Sequence, residues 1–180
     1  MRTFKLAVLM ASTLSTSVVF ANSGEVYFNG VVTDTTCTVG VAQNGVLQAD
    51  NTVTLAPIAT ADFVAADTPY SPAAFSLVAT DAGSATCDLT GLGATVLWTG
   101  QAYAGHNILE NIATDPAASV GVMLLQQDGT TPVQINGASV GIVDASSGEL
   151  QFNAAYGTTD TATVTAGHVR AVANYSVVFN

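Results

Sequence analysis

The sequence predicts an all-β fold, a sandwich of short strands, and three observations carry that reading. Helical periodicity is nearly absent, short runs of β-branched, aromatic and alternating residues recur, and clusters of Gly, Asn, Asp and Pro separate them. In chain order, strands are predicted at residues 26–32, 38–41, 53–58, 74–79, 95–99, 120–126, 134–135, 149–156, 162–165 and 168–179. Asp128-Gly129 and Asn136-Gly137 carry hairpin-type turn chemistry, because Asn and Gly tolerate the positive φ such turns require. Many short strands at this spacing favour a sandwich. Residues 43–72 are irregular and predict mostly loop, and no internal repeat is present.

The chain opens on the basic stretch Met-Arg-Thr-Phe-Lys, and residues 6–20 are apolar apart from Ser and Thr. That run is too short to span a bilayer, and with small residues at Val19 and Ala21 it describes a secretory signal peptide cleaved after Ala21. Gly, Asp, Asn or Pro interrupts every later run, so no membrane anchor replaces it. The mature protein is predicted to be soluble, outside the cytoplasm, and a single domain in size.

Cleavage removes Arg2 and Lys5, leaving Arg170 as the one strong base against 13 Asp and Glu. A chain that acidic offers no electrostatic footprint to nucleic acid or to an anionic membrane. It also keeps no lysine, which excludes assembly through lysine isopeptide bonds. The two cysteines, Cys37 and Cys87, lack neighbouring Cys or His at metal-ligand spacing, and the secretory route is oxidising. A disulfide is the reading that fits. Closing a loop of about 50 residues is worth about 4 kcal/mol in the chain-entropy model.

Both ends carry strand patterns. Val169, Ala171, Ala173, Tyr175, Val177 and Phe179 share one face of a final strand, wholly apolar, while His168, Arg170, Val172, Asn174, Ser176, Val178 and Asn180 share the other. A strand at the end of the chain leaves nothing to return and cover its far edge. Near the start, Gly24, Val26, Phe28, Gly30 and Val32 alternate with Glu25, Tyr27, Asn29, Val31 and Thr33. A slip of one residue would bury Glu25 and Asn29 without partners, so the first set faces inward. The two glycines of that face leave room for large groups opposite.

These residues resemble the subunits of chaperone–usher fimbriae, in particular the type 1 pilin family. The resemblance rests on Gly24-Glu-Val-Tyr-Phe-Asn-Gly-Val-Val followed by Cys37-Thr-Val, on Val120-Gly-Val with Asp128-Gly129, and on Leu150-Gln-Phe-Asn-Ala-Ala-Tyr156. Thr163-Val-Thr-Ala-Gly167, leading to Tyr175 and the penultimate Phe179, completes it. Residues 79–86 depart from the family pattern by their length. The resemblance implies a seven-stranded immunoglobulin-like sandwich lacking its last strand, so that a groove runs along the core. It implies that a periplasmic chaperone fills this groove first and that an outer-membrane usher exchanges it for the arm of the next subunit. The division of the chain would be 1–21 signal peptide, 22–36 donor-strand arm and 37–180 pilin domain. Gly24, Val26, Phe28, Gly30 and Val32 would fill a neighbour's groove. Gly167, Val169, Ala171, Ala173, Tyr175, Val177 and Phe179 would line this subunit's own groove and be recognised by the chaperone.

Other constellations point to ordinary structure. Gly137-Ala-Ser139-Val-Gly141, with Asp160 and His168 downstream, has the order of a hydrolase triad, but Asn136-Gly137 is a turn and no helical pattern follows Ser139. His106 in a Gly-His-Asn loop and His168 on a polar face have no second ligand near them. The carboxylates are spread singly, without calcium-loop spacing, and Trp98 has the setting of a core residue rather than a sugar platform. No cofactor and no catalysis are predicted. The function implied is that of a structural subunit of an extracellular fimbrium supporting cell adhesion, with copies of itself or related pilins as partners. The alternatives are a minor or adaptor subunit and a tip-adhesin-like module. An adhesin would carry an added lectin domain ahead of the pilin domain, for which residues 22–36 leave no room. A self-complete periplasmic sandwich binding a small ligand is a third reading, and it would need a strand closing its own groove.

The cysteine pairing is directly measurable. Non-reducing mass analysis of secreted protein should show no alkylatable thiol; two free thiols in assembled material would reject the bridge.

Overall fold

The protein is described here from a computed structural model covering residues 38–80, 94–140, 143–144 and 148–179. The predicted strand at 26–32, the arm residues Gly24 to Val32, and both Cys37 and Cys87 lie outside the described residues. Among those described, the strands are β1 (Thr38–Gln43), β2 (Val46–Leu47), β3 (Tyr70–Thr80), β4 (Ala94–Gly100), β5 (Val120–Gln126), β6 (Gly137–Val140), β7 (Val143–Asp144), β8 (Glu149–Thr158) and β9 (Ala173–Phe179). One sheet runs β2-β1-β3-β8-β5, with β7 also on β8, and the other runs β6-β4-β9. Every strand pairing is antiparallel.

The two sheets are joined by apolar side chains delivered at period two. On β4, Ala94, Val96 and Trp98 are buried while Leu97 is exposed. Facing them from the larger sheet come Val41, Phe75, Leu77, Leu124, Leu150, Phe152 and Ala154. Trp98 is only 3% exposed; its ring meets Phe152 edge-on at 5.3 Å and Phe75 at 6.0 Å. Phe75 and Phe152, opposite one another on β3 and β8, stack at 5.9 Å. Such aromatic pairs add about 0.5–1.5 kcal/mol each beyond area burial.

β5 and β8 are buried on their second face as well. Met123, Leu125 and Ala155 pack with Ile108 there, beside Tyr103. The segment that covers this face docks on β5 through Leu109, whose N–H donates to Val122 O at 2.7 Å and whose carbonyl accepts from Val122 N at 3.2 Å. Only glycine fits at position 121, since a Cβ there would stand 2.1 Å from the Leu109 carbonyl oxygen. A further cluster of Phe63, Ala117 and Val120 receives Val169 and Val164 from the chain approaching β9.

Several predicted elements differ. Residues 53–58 form no ladder, yet Val53 and Leu55 are half-buried on alternate positions. Their neighbour is a side chain: the Gln43 amide donates to Thr54 O at 2.8 Å and accepts from Thr54 N at 3.0 Å, as a backbone partner would. Residues 134–135 turn rather than extend, with Ile135 N held by Asn107 Oδ1 at 2.9 Å. Within 162–165 the chain instead makes a 3₁₀ turn, Thr161–Thr163, capped by Asp160 accepting from Ala162 N. The final strand begins at Ala173 rather than at 168.

β3 starts at Tyr70, earlier than expected, because the register shift between Tyr70 and Ala73 absorbs Pro72. The hairpin β1–β2 was not anticipated, although Asn44-Gly45, at φ 54° and 73°, carries the turn chemistry that predicts it. β6 and β7 were likewise not anticipated. Asp128-Gly129 does turn the chain back on β5, where Val133 N donates to Leu124 O at 2.8 Å. The Asp128 carboxyl is lowered to about 2 by hydrogen bonds from the Thr131 hydroxyl, then from Thr131 N and Thr130 N.

The packing predicts a contrast across β8. Leu150, 1% exposed, should lose about 2–5 kcal/mol on Leu150→Ala, whereas Glu149→Ala on the outer face should change stability by under about 0.5 kcal/mol. Urea unfolding of the two variants measures the difference.

Candidate functional site

Among the described residues β9 is an edge strand of the smaller sheet, and it forms one lip of a candidate groove. Along it Ala171, Ala173, Tyr175 and Val177 are half-buried, while Val172, Asn174 and Ser176 are exposed. All four half-buried residues pack on the main core, as do Val39 of β1 and, beyond it, Val53 and Leu55. Apolar residues that touch a core and still face water mark a surface built to be buried by something else.

The backbone of β9 has the same character. Among the described residues it pairs only with β4, in the register Leu97↔Ser176 and Thr99↔Asn174. Trp98 O accepts from Asn136 N, and Gly100 N donates to Asn136 Oδ1, so these two residues of β4 address the β6 side. By alternation Leu97 and Thr99 address β9, and the peptide groups of Ala173, Tyr175 and Val177 point outward from the sheet. An outward row of donors and acceptors above an apolar face is a template for one more strand.

The opposite lip is β1. Val41 N donates to Asn51 Oδ1 at 3.1 Å and Val41 O accepts from Gln48 N at 2.8 Å, both away from β3. Two residues earlier, Val39 presents its peptide groups on the same side. There its carbonyl accepts the Tyr175 hydroxyl at 2.7 Å. The Tyr175 ring lies edge-on to Trp98 at 5.7 Å, and burial pushes its phenol above the usual value.

The other sequence-predicted site residues divide between two places. Val169 packs in the cluster of Phe63, Ala117 and Val120, not along the main core. Gly167 is exposed and crosses against Pro116 and Ala117, where a Cβ would approach Ala117 N to 2.4 Å. Phe179 pairs through its backbone with Ala94. β1 begins at Thr38, which pairs with Thr80; that places the residue after Cys37 beside a strand end seven positions before Cys87 in the chain.

Sequence reasoning missed the far lip. Val53 and Leu55 were visible as an alternating pair, but nothing local says that they pack on the same core as β9. It also missed Asn111, which fixes the approach to β9. Its Nδ2 donates to His168 O at 2.8 Å and Ala117 O at 3.3 Å, while Oδ1 accepts from Arg170 N at 3.0 Å and Ala113 N at 3.1 Å. Four bonds saturate one amide and set where the groove-facing residues begin.

The chemistry that a hydrolase would need is not assembled. Ser139 lies within β6 opposite Val96, not at a strand-to-helix turn, and the Asp160 carboxylate is engaged by Ala162 N and the Thr163 hydroxyl. Residue His106 meets Asp67 at 2.7 Å on the surface. Trp98 is a core residue, and its indole N–H has no partner among the described residues.

The sequence model of the fimbrial protein family matches residues 26–180. The chain belongs to that family. It is 31% identical over 142 residues to the S-fimbrial protein subunit SfaA of Escherichia coli O6:K15:H31 (strain 536 / UPEC), covering 77% of this chain and 73% of that protein. In structure it is similar to the P pilus rod subunit PapA, at a TM-score of 0.60 and 18% identity, covering 88% of this chain and 100% of the other. It is also similar to an antigen and type I fimbria protein of Burkholderia pseudomallei, at a TM-score of 0.54 and 24% identity, over 79% of this chain and 99% of the other. This fimbrial chain is thus a chaperone–usher type subunit with an incomplete immunoglobulin-like fold, and its relatives are structural subunits rather than enzymes.

Asn111→Ala removes four side-chain hydrogen bonds to the backbone, although His168 O keeps Ala117 N as a donor. Stability should fall by about 1–3 kcal/mol, and amide exchange should quicken first at His168 and Arg170. Hydrogen exchange resolved by residue tests both.

Proposed function

We propose that this subunit polymerises by donor-strand exchange and that the fibre supports cell adhesion. Residues Gly24, Val26, Phe28, Gly30 and Val32 of one copy enter the groove between β9 and β1 of the next. The observation that carries the reading is β9 itself: a backbone edge unpaired among the described residues, joined to a half-buried apolar face in which Ala171, Ala173, Tyr175 and Val177 pack on the core. Exposing both in a secreted protein would invite unspecific aggregation. A dedicated occupant resolves that hazard.

In this scheme the chain crosses the inner membrane behind a signal peptide ending at Ala21, and Cys37 bridges Cys87 in the periplasm. A chaperone strand covers β9 first, which keeps its edge from unspecific pairing. At the outer-membrane usher the arm of the following subunit replaces it. The similarity to a fimbrial subunit and to a pilus rod subunit supports a polymeric shaft role.

A paired substitution tests the reading. Phe28→Asp places an unpaired carboxylate in an apolar groove, at a cost of several kcal/mol, while Asn29→Asp on the outward face costs little. The Phe28 variant should still fold and bind chaperone in the periplasm but fail to enter fibres as a donor. Loss of both chaperone-bound subunit and surface polymer, or retention of both, would sink strand donation by this segment.

A further inference from the structure

The two lips of the groove are joined by one side chain. Tyr175 leaves β9, lays its ring edge-on to Trp98, and donates its hydroxyl to Val39 O of β1 at 2.7 Å. That carbonyl is not an arbitrary acceptor. Neighbouring Val41 has both peptide groups engaged on the side away from β3, by Gln48 N and Asn51 Oδ1. Val39 therefore presents its own peptide groups on that side, where β1 has lost the cover of β2, which pairs only with Ala42 and Gln43. A strand entering beside β1 would direct its N–H groups at the same row of carbonyls.

We propose that Tyr175 is a latch: its hydrogen bond to Val39 ties β9 to β1 across the groove, and an entering strand must release it to pair along the β1 edge. The proposal rests on the strand-exchange reading above and adds to it a barrier set by this subunit's own side chain. The hydroxyl satisfies an edge carbonyl that is otherwise aimed outward, and it draws together two strands that belong to different sheets. The latch does not seal the groove, since Ala173 and Val177 on either side of Tyr175 remain half-buried. It acts at one point along the groove, so it slows entry past that point and leaves the rest of the apolar face available for first contact.

The hydroxyl can be removed without the ring. Tyr175→Phe keeps the edge-on contact with Trp98, and Tyr175→Leu removes the hydroxyl while keeping the position apolar. The experiment follows uptake of a synthetic peptide spanning residues 22–34 by the mature chain, using the emission of Trp98, the one tryptophan in the sequence, and co-elution of the peptide. Losing one hydrogen bond from the closed state should speed uptake about three- to tenfold in both variants. Uptake at the wild-type rate, or slower, in Tyr175→Phe overturns the latch and leaves strand exchange standing. No uptake by any of the three proteins overturns both, since there would then be no strand entry for the latch to govern.

Discussion

The contact between Trp98 and the Phe75–Phe152 pair is the joint on which the sandwich depends. β4 sends its large aromatic into the core, where it lands on the two that β3 and β8 stack against each other. β9 is tied to this joint through β4 and through the Tyr175 ring, and the Tyr175 hydroxyl reaches on to Val39 O of β1. A core that is dense around Trp98 thins to half-buried side chains on β9, the next strand.

A second constraint is backbone satisfaction, met here by side-chain amides to an unusual extent. Gln43 stands in for a strand beside Thr54, Asn107 holds Val133 O and Ile135 N, Asn136 brackets Gly100, and Asn111 gathers four groups ahead of β9. Each amide offers a donor and an acceptor at nearly the spacing of a peptide group, so it can close a ladder that has no further strand. With few charges in the chain, neutral amides carry this work instead of ion pairs.

The strand content was legible at 95–99 and 149–156, where alternation and burial agree because the facing sheet enforces the period of two, and at 120–126 as an apolar run buried on both faces. It was not legible at 53–58 or 134–135, where the alternation is real but the hydrogen-bond partner is an amide from a distant position. Nor was it legible at β6, where glycine and alanine give no pattern and β4 alone imposes the strand. The apolar face of β9 was readable as a face. Its partner lip was not, since Val39 meets Tyr175 of β9 only through the three-dimensional arrangement of the two sheets.

The amide bracket at Asn136 has a consequence for the ageing of the protein. Asn136 precedes Gly137, the sequence context in which succinimide formation meets least steric resistance, and its Nδ2 donates to Gly100 O at 3.0 Å while Oδ1 accepts from Gly100 N at 3.1 Å. Conversion to aspartate would keep the second bond and turn the first into a carboxylate facing a carbonyl, loosening the end of β4 just where β9 begins its pairing at Ala173. Such a conversion would act beside β9, at a position where one side chain holds both peptide groups of Gly100.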